Sequence, residues 1–493
     1  MKFYTNVYSY GSKILVRTND NGNKRSDEVS FKPSLFVSSD KPSKFKSIHG
    51  ANLNKIDFEN MHEYREFIER YSDVKGFEIH GEIGSEYQYI NQNYGDNHNY
   101  DVSNIDVMYI DIETTCEDGF PRIEDPVEKV IAITAKRTGK KPVVFCLGDY
   151  VKRGNEEVHC FDDESYLLQF FMEWFEKDYP DILTGWNIRF FDIPYLYNRV
   201  VKIFGAKYAK KFSPWGIVRD KMVVRKGYNV ECKVYDFIGI STMDYYELYK
   251  TFTYVNQESY SLNHIAQVEL GEGKLAYDEY ETIQEFYTKN FQKFVEYNIR
   301  DVILVERIEE KLKLMELAIA LAYSAGVNYT DVFSQVKTWD VIIYNYLSQK
   351  NIIIPPKKKS TKNEQYAGAY VKEPQVGMFD WVVSYDLNSL YPHLIMQFNI
   401  SPETATTDGM RGVISPAAIL SKTPVAMQFL EEYKEKNLSV AANGTTYKKD
   451  KRGFLPDLMD KMYKDRKMFK NKMIDAKKDL ESVMAEMKRR GIS

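Results

Sequence analysis

Cysteine is scarce in this sequence of 493 residues. The four cysteines are Cys116, Cys146, Cys160 and Cys232, and no two of them form a CxxC pair. This usage argues against a disulfide framework and against a zinc ribbon. An apolar run of the roughly 18 residues that cross a membrane is also missing, as is the basic and apolar start of a secretory signal. We therefore expect a soluble, cytosolic protein with no membrane partner.

A net positive charge is missing too. The sequence has 67 Lys and Arg residues against 71 Asp and Glu, a formal charge of −4, whereas nucleic-acid-binding domains are commonly basic. Basic residues are nevertheless concentrated in residues 448–490, which carry 15 Lys and Arg against 8 Asp and Glu. A local field of this kind steers a polyanion whatever the total charge. The composition therefore leaves nucleic-acid binding open.

The chain length predicts about three domains. Residues 1–105 alternate short apolar and polar runs, which indicates small β structure. An α/β pattern begins at Asp106, and two helices broken near Gly326 follow it. A strand is predicted over 378–390, and a long basic helix from about Leu455.

Two acidic residues, Asp111 and Glu113, end the strand-like run VMYIDIE. Positions i and i+2 of a strand face the same way, so both carboxylates project together while Ile110 and Ile112 face the core. Such pairs also occur on ordinary surface strands. The pair alone therefore does not define a site.

Further along the chain, two other acidic positions stand in helical contexts. Asp192 follows two aromatic residues in GWNIRFFDIPYL, and with Pro194 after it, the carboxylate would also suit a helix N-cap. Tyr297 and Asp301 lie four residues apart in FVEYNIRDVILV and share one face of the predicted helix. An ordinary half-buried helix would explain that second pattern equally well.

The order of these elements gives them a functional interpretation. A DxE strand, then N-x-x-x-F-D, then Y-x-x-x-D resembles the proofreading 3′–5′ exonuclease domain of family B DNA polymerases, in its tyrosine-bearing DEDD version. The matching residues are Asp111 and Glu113, then Asn187 and Asp192, then Tyr297 and Asp301.

The resemblance implies a metal-dependent hydrolysis. Two divalent ions, Mg²⁺ or Mn²⁺, stabilise the attacking and the leaving oxygen together, and such hard cations prefer oxygen ligands. Asp111 would bridge the ions, and Tyr297 would orient the attacking water. Glu113, Asp192 and Asp301 would complete the ligand set, and Asn187 would contact DNA. Lys274, in GEGKLAYD, is expected close to this site.

A second string, VVSYDLNSLYPHLI, ends a strand-like run with one acidic residue. An Asp-capped turn would explain it, but DxxSLYP resembles motif A of the family B palm. The resemblance implies that Asp386 and the Leu387 carbonyl bind a catalytic metal. It also implies that the backbone at Ser389, Leu390 and Tyr391 holds the incoming triphosphate, with the Tyr391 ring excluding ribose.

Two shorter strings resemble further polymerase elements. YAGAYV resembles the YxG[GA] element that contacts the template strand, through Tyr366 and Gly368. KDRKMFKNK places Arg466 and Lys470 on one helical face, where they would clamp polyphosphate; a solvated basic helix is the alternative. The resemblance here is to the first fingers helix.

The remaining polymerase motifs are missing from the sequence. It contains no second fingers helix with NSLYG and no DTDS motif, and one carboxylate, Asp386, cannot hold two metals. We therefore expect no polymerisation by this chain alone.

The resemblance implies an α/β multi-domain fold that includes an RNase H-like exonuclease domain. The expected segments are a mixed α+β N-terminal domain (1–105), the exonuclease domain (106–314), a return to the N-terminal domain (315–357), a partial α+β palm with motif A (358–453) and a helical partial fingers (454–493).

The leading hypothesis is the N-terminal subunit of a split polymerase of the T-even-type phage replicative group. Its partners would be primer–template DNA, a single-stranded 3′ end, dNTP at the completed site, a C-terminal subunit and, through that subunit, a sliding clamp. Its location would be the cytoplasm of an infected bacterium. The basic helix would leave an apolar stripe unpaired, formed by Leu455, Leu458, Met459 and Met462. The alternatives are a stand-alone exonuclease with a vestigial palm and an RNA-binding translational regulator.

Overall fold

The computed structural model describes residues 1–95, 99–117, 119–225, 230–276, 278–357, 371–406, 415–441 and 444–491. The chain forms two compact units. The first contains Met1–Leu35, Lys55–Phe77 and Gly81–Asn345, and the second contains Phe36–Asn54, Glu78–His80 and Tyr346–Ser493. The finer division into five segments stays a prediction.

The strands of the described residues are, in chain order, β1 (Lys2–Tyr10), β2 (Lys13–Asp20), β3 (Asn23–Ser30), β4 (Ser34–Ser38), β5 (Phe45–Ser47), β6 (Asn52–Asp57), β7 (Ile79–His80), β8 (Val107–Thr114), β9 (Val130–Arg137), β10 (Val143–Leu147), β11 (Glu157–Phe161), β12 (Ile182–Thr184), β13 (Val218–Arg225), β14 (Val230–Phe237), β15 (Ser241–Thr242), β16 (Ile352–Ile353), β17 (Ala405–Thr406), β18 (Leu438–Val440) and β19 (Thr446–Lys448).

The α-helices are α1 (Met61–Tyr71), α2 (Ser85–Tyr94), α3 (Glu164–Lys177), α4 (Asp192–Phe204), α5 (Ala206–Ala209), α6 (Tyr245–Phe252), α7 (Leu262–Leu270), α8 (Ile283–Lys289), α9 (Phe291–Leu312), α10 (Leu314–Ala325), α11 (Gln335–Gln349), α12 (Leu390–Phe398), α13 (Pro416–Leu420), α14 (Pro424–Glu435) and α15 (Phe454–Arg490). Short 3₁₀ helices span Val102–Asn104, Lys210–Phe212 and Tyr329–Phe333. Within the described residues, we find no helix with both the length and the apolar character that crossing a membrane requires.

An antiparallel meander, β1-β2-β3, opens the first unit. The apolar side chains of β2, Ile14, Leu15 and Val16, are buried, whereas the polar β3 is largely exposed, as expected for an edge strand. The prediction of β structure in this region is confirmed. Helices α1 and α2 accompany these strands, so the region is mixed α+β.

The main sheet of the first unit has the strand order β11-β10-β9-β8-β12-β15. Strands β8, β9 and β10 pair antiparallel, whereas β11, β12 and β15 join them in parallel. Ile110 and Ile112 of β8 lie in one apolar core with residues of α3 and α4. On the opposite face, Ile131 and Val144 pack with residues of α9. Asp111 and Glu113 alternate with the isoleucines, so they belong to the α9 face.

The helical end of the first unit follows the sequence pattern closely. Helix α10 ends at Ala325, and Gly326 adopts a left-handed conformation with φ 73° that stops it. Helix α11 then begins at Gln335. The predicted break near Gly326 is confirmed.

Much of the second unit consists of short elements. Most residues of a five-stranded sheet, β16-β5-β6-β4-β7, belong to it, with Phe36, Leu53 and Ile353 as its buried core. A three-stranded sheet, β17-β19-β18, lies further along the chain.

The predicted strand over 378–390 is wrong. Residues 371–388 form no regular element, and their apolar side chains are exposed, Trp381 at 98%. Alternating apolar residues provide strand propensity, but a strand also needs a neighbour to pair its backbone groups. No strand in the described ranges pairs with this segment.

The predicted basic helix is present as α15, but its start is not unpaired. Leu458 is 4% exposed and Leu455 and Met459 are half-buried, because the first turns of α15 pack against α12. Only Met462 of the predicted stripe is exposed. The prediction therefore placed the unpaired surface too early. Several exposed apolar residues lie later on α15. Five of them share one face of the helix, and we call these five the α15 stripe: Phe469, Met473, Leu480, Val483 and Met487.

Candidate active site

Two secondary-structure elements bring three of the predicted exonuclease carboxylates together. Asp111 and Glu113 come from β8 and Asp301 from α9. Ligand oxygens of these three residues all lie within 4.8 Å of one another. Residues far apart in the chain thus meet where α9 covers the sheet.

Asp192 joins the cluster from the first turn of α4. Its Oδ1 accepts a hydrogen bond from the Ile112 backbone N–H at 3.0 Å, and the side chain is buried. The N-cap position belongs to Phe191, so the N-cap interpretation of Asp192 is wrong. The carboxylate instead attaches the start of α4 to β8, between Asp111 and Glu113 in sequence.

A lysine completes the polar cluster. The Lys274 ammonium donates a hydrogen bond to the Tyr297 hydroxyl at 2.8 Å and forms an ion pair with Asp301 Oδ2. The expectation that Lys274 approaches the site is confirmed. The other Asp301 oxygen, Oδ1, is buried and accepts no hydrogen bond from any described residue.

Burial raises the pKa values of all four carboxylates, and for Asp111 and Glu113 the neighbouring carboxylates add to the shift. Burial raises the pKa of Asp111, and Asp192, Asp301 and Glu113 add to this effect. Burial likewise raises the pKa of Glu113 to about 8 and that of Asp192 to about 7. For Asp301, burial raises the pKa to about 6 although Lys274 opposes the shift.

The lysine responds in the opposite sense. Burial alone would lower the pKa of Lys274, but Asp301 and Tyr297 raise it above its ordinary value. One ammonium cannot balance four carboxylates. The surplus of negative charge, the all-oxygen donor set and the buried Asp301 Oδ1 together fit divalent cations such as Mg²⁺ or Mn²⁺.

Asn187 lies in the turn between β12 and α4, with φ 66°, a conformation that asparagine tolerates better than most residues. Its side-chain oxygen accepts a hydrogen bond from Arg225 at 2.8 Å, and its backbone N–H donates to Asp244 at 2.9 Å. The turn is tight: a Cβ at Gly185 would lie 2.3 Å from the Ile110 carbonyl oxygen. The Asn187 side chain is thus bonded to a cation of β13.

Sequence reasoning missed two buried residues that support the site. Asn298 donates a hydrogen bond to Asp111 Oδ2 at 2.7 Å. Asp244 accepts hydrogen bonds from the backbone of Asn187 and Arg189 and so fixes the turn before Asp192. Asn298 stands inside the motif YNIRD, but a helical pattern does not show which distant strand a buried amide contacts.

An exposed aromatic ring was also missed. Phe120 is 79% exposed, and its ring lies 5.5 Å from that of Phe191, the residue before Asp192. Exposed aromatic rings beside an acidic cluster are suited to stacking on unpaired bases. The single signal in the sequence was its position shortly after the DxE strand.

The polymerase residues form a less complete arrangement. Arg466 donates a hydrogen bond to the Ser389 hydroxyl at 2.9 Å, which joins α15 to the start of α12. Asp386, Leu387 and Tyr391 are exposed, as is Lys470. Leu390 begins α12. Tyr366 and Gly368 lie in 358–370, outside the described residues.

Comparison with known proteins identifies two family matches. Residues 78–265 match the exonuclease domain of DNA polymerase family B, and residues 333–491 match DNA polymerase family B. The DNA-directed DNA polymerase of Escherichia phage RB69 is 35% identical over 98% of this chain, and that of Enterobacteria phage T4 is 33% identical over 98%. The catalytic subunit of DNA polymerase delta from Drosophila melanogaster is 25% identical over 74% of the chain.

The chain spans 55% of the length of each of the two phage relatives. The two family matches together cover well over half of the chain, and they follow the same order as the two groups of predicted site residues. The chain therefore belongs to the family B DNA polymerases.

Proposed function

We propose that this chain is a metal-dependent 3′–5′ exonuclease that also carries the motif A half of a DNA polymerase site. The observation that carries the first part is the convergence of Asp111, Glu113 and Asp301 within 4.8 Å. Asp192 is attached to the same strand. The mixed sheet, whose central strand bears the first two carboxylates, supports an RNase H-like fold for this domain.

Four carboxylates would hold the metal ions: Asp111, Glu113, Asp192 and Asp301. Two bound ions supply charge stabilisation for the attacking and the leaving oxygen of phosphodiester hydrolysis. The protein fixes the ligands in advance, because α4 packs on one face of the sheet that contains the strand and α9 packs on the other. Carboxylates with raised pKa values bind metal with release of protons.

Tyr297 and Lys274 would act together on the attacking water. The ammonium of Lys274 donates a hydrogen bond to the Tyr297 oxygen and so fixes the position of that hydroxyl. A hydroxyl oriented in this way can donate to the scissile phosphate or hold a water in line with it. Lys274 also limits the repulsion that Asp301 exerts on the other carboxylates.

The substrate would be the single-stranded 3′ end of DNA. Phe120 supports this choice, since its exposed ring lies beside Phe191 at the start of α4 and offers a stacking surface for a terminal base. Arg225, bonded to Asn187, places a positive charge near the same turn. Both groups suit an unpaired strand more than a duplex.

The polymerase half-site would use Asp386 and the Leu387 carbonyl for a metal, with Ser389, Leu390, Tyr391, Arg466 and Lys470 for the incoming dNTP. The bond between Arg466 and Ser389 supports the pairing of the two segments. Completion by a second fingers helix, a second metal-binding carboxylate and a thumb is part of this proposal. We propose that a separate C-terminal polypeptide supplies them, together with contact to a sliding clamp, in an infected bacterial cell.

A stand-alone exonuclease is the second candidate. It is favoured by one observation: all four carboxylates lie within the first compact unit. RNA binding by residues 1–105 stays a prediction.

The test is degradation of a 5′-labelled single strand from its 3′ end with Mg²⁺, comparing the wild type with Asp111→Ala/Glu113→Ala. We expect shortening by the wild type and background activity for the double variant. Equal activity of both proteins would contradict the assignment. Primer extension by the pure chain in the presence of dNTPs would contradict the half-site.

A further inference from the structure

We propose that Asn298, held in place by Thr134, is a positioning residue that orients the Asp111 carboxylate for metal binding. This inference rests on the proposed exonuclease function and assigns a role to a residue that lies between Tyr297 and Asp301 in sequence. Asn298 would not touch metal or DNA itself. It would act through Asp111.

The Asn298 side chain makes two hydrogen bonds and is fully buried, at 0% exposure. Its Nδ2 donates to Asp111 Oδ2 at 2.7 Å. Its Oδ1 accepts from the hydroxyl of Thr134, which is also fully buried. Thr134 belongs to β9 and is the direct register partner of Asp111 on β8. The three side chains therefore form one chain of hydrogen bonds from β9 through α9 back to β8.

The chemistry of this chain fixes the direction of the amide. A carboxylate only accepts hydrogen bonds, so the NH₂ group of Asn298 must face Asp111 when that residue is ionised. The Asn298 oxygen then needs a donor in a buried place, and the Thr134 hydroxyl is that donor. A flipped amide would set its oxygen against the carboxylate. The ionised Asp111 thus selects this orientation of Asn298, and the Thr134 hydroxyl stabilises it by donating to the amide oxygen.

The orientation matters because Asp111 is surrounded by other acids. Asp192, Asp301 and Glu113 each raise the pKa of Asp111 and so repel its ionised form, and this repulsion would rotate an unrestrained carboxylate away from them. The hydrogen bond from Asn298 holds the Asp111 carboxylate close to the ligand oxygens of Glu113 and Asp301. Partners of this kind behind a metal ligand commonly change metal affinity by about 10- to 100-fold.

Two substitutions separate this role from simple packing. Asn298→Ala removes the donor to Asp111. Thr134→Val keeps the side-chain shape and removes only the group that orients the amide. The matched control is Val295→Ala on the same helix, because Val295 is equally buried but packs with Val144 and Cys146, away from the carboxylates.

The first measurement is direct Mn²⁺ binding to the purified full chain. The electron paramagnetic resonance signal of free Mn²⁺ gives the amount that is not bound. We expect Asn298→Ala to weaken binding by about 10-fold or more, Thr134→Val to weaken it less, and Val295→Ala to leave it unchanged despite a lower Tm. On single-stranded DNA, kcat at fixed Mg²⁺ should fall with little change in KM, and excess metal should restore part of it.

Wild-type Mn²⁺ affinity in both Asn298→Ala and Thr134→Val, with loss of binding in Asp111→Asn, would overturn the inference. If circular dichroism shows that Asn298→Ala does not fold, Thr134→Val decides alone. Failure of the proposed function is distinguishable: the wild type would then bind Mn²⁺ through Asp111 without shortening DNA.

Discussion

Lys274 brings a positive charge into a cluster of four carboxylates, and its position is set by three contacts. The ammonium bonds to Tyr297 and Asp301, while the Lys274 backbone N–H donates to Asn263 at 2.8 Å. Glu272, two residues before it in the chain, pairs with Arg300 and Arg307 of α9. The loop that carries Lys274 is therefore held to α9 by ion pairs, and α9 also carries Tyr297 and Asp301, the two partners of the ammonium.

Replacing this lysine should change the pH dependence of the nuclease. In Lys274→Met the Asp301 carboxylate loses the charge that lowers its pKa from the value that burial alone would give. We expect an exonuclease kcat lower by about 10- to 100-fold and an acid limb of the pH–rate profile displaced to higher pH. The measurement is single-stranded DNA degradation at fixed Mg²⁺ over a range of pH.

A matched control is Lys293→Met, which removes a lysine at the start of α9 that pairs with Glu279 outside the cluster. Its profile should coincide with that of the wild type. An unshifted acid limb in Lys274→Met would show that the ammonium does not tune Asp301 during turnover.

Asp192 offers a separation of structure from chemistry at a single position. Asp192→Asn keeps an oxygen acceptor for the Ile112 N–H and removes one repelling charge, so the metal-free protein should be at least as stable as the wild type at pH 8. Asp192→Ala leaves that buried N–H without a partner, which costs about 1–3 kcal/mol. Both variants should lose Mg²⁺-dependent DNA degradation.

Thermal unfolding in EDTA measures the stability difference between the two Asp192 variants, and gel analysis of labelled DNA measures activity. If Asp192→Asn retained activity, the carboxylate would have a structural role only. Equal Tm values for the two variants would show that the bond to Ile112 contributes little.

At the scale of elements, β8, α4 and α9 bring carboxylates into a buried cluster, which disfavours the ionised form of each carboxylate. The folded-state pKa values of Glu113, Asp192 and Asp301, at about 8, 7 and 6, are above those of exposed carboxylates. Between about pH 4 and pH 8 the folded protein therefore binds more protons than the unfolded chain. Stability is then lost as the pH rises through the folded-state values.

We expect the Tm of metal-free protein to fall as the pH is raised from 5.5 to 8.5, and saturating Mg²⁺ to reduce that slope because metal replaces the protons. Each proton released contributes about 1.4 kcal/mol per pH unit. Differential scanning calorimetry of the wild type and Asp111→Asn/Glu113→Gln isolates the cluster from other titrating groups. The variant should show a shallower slope; an identical slope would mean that the cluster is not protonated in the folded state.

The elements also show what the sequence could predict. Period-two and period-four spacing placed Asp111 beside Glu113 and Tyr297 beside Asp301, because those relations are local in a strand and a helix. The bond between Asp192 and β8 is a long-range contact that no local period contains. The hydrogen bond from the Asn298 amide to Asp111 is likewise a long-range contact. Because local patterns do not show such contacts, the sequence also allowed a capping role for Asp192.

The wrong prediction of a strand over 378–390 also comes from a long-range relation that the local pattern does not contain. Its local pattern is that of a strand, yet the structure leaves it unpaired because pairing depends on a partner segment elsewhere. Asp386 and Leu387, the residues predicted for motif A, lie in this segment. The positions of Asp386 and Leu387 therefore depend on residues distant in the chain, which a local sequence pattern does not identify.

At the scale of the whole molecule, the α15 stripe is an exposed apolar surface that is suited to contact with another polypeptide. Phe469, Met473, Leu480, Val483 and Met487 follow one another at intervals of four, seven, three and four residues, the spacing with which one helix packs on another. All five are exposed, with Phe469 at 61%. A surface of this kind fits an apolar helix of the C-terminal polypeptide that we propose as a partner.

Charges on the stripe should therefore block polymerisation and spare the nuclease. We expect the chain alone to shorten DNA without extending it, and to extend a primer once mixed with a polypeptide that supplies the second fingers helix, the second metal-binding carboxylate and the thumb. Phe469→Glu/Leu480→Glu should abolish association and extension, because two buried charges without partners oppose helix packing. Asn471→Glu/Ser482→Glu places the same charges on the opposite face of α15 and should leave both intact. Analytical ultracentrifugation and primer extension measure the two properties, and full extension by the stripe variant would exclude the stripe as the docking surface.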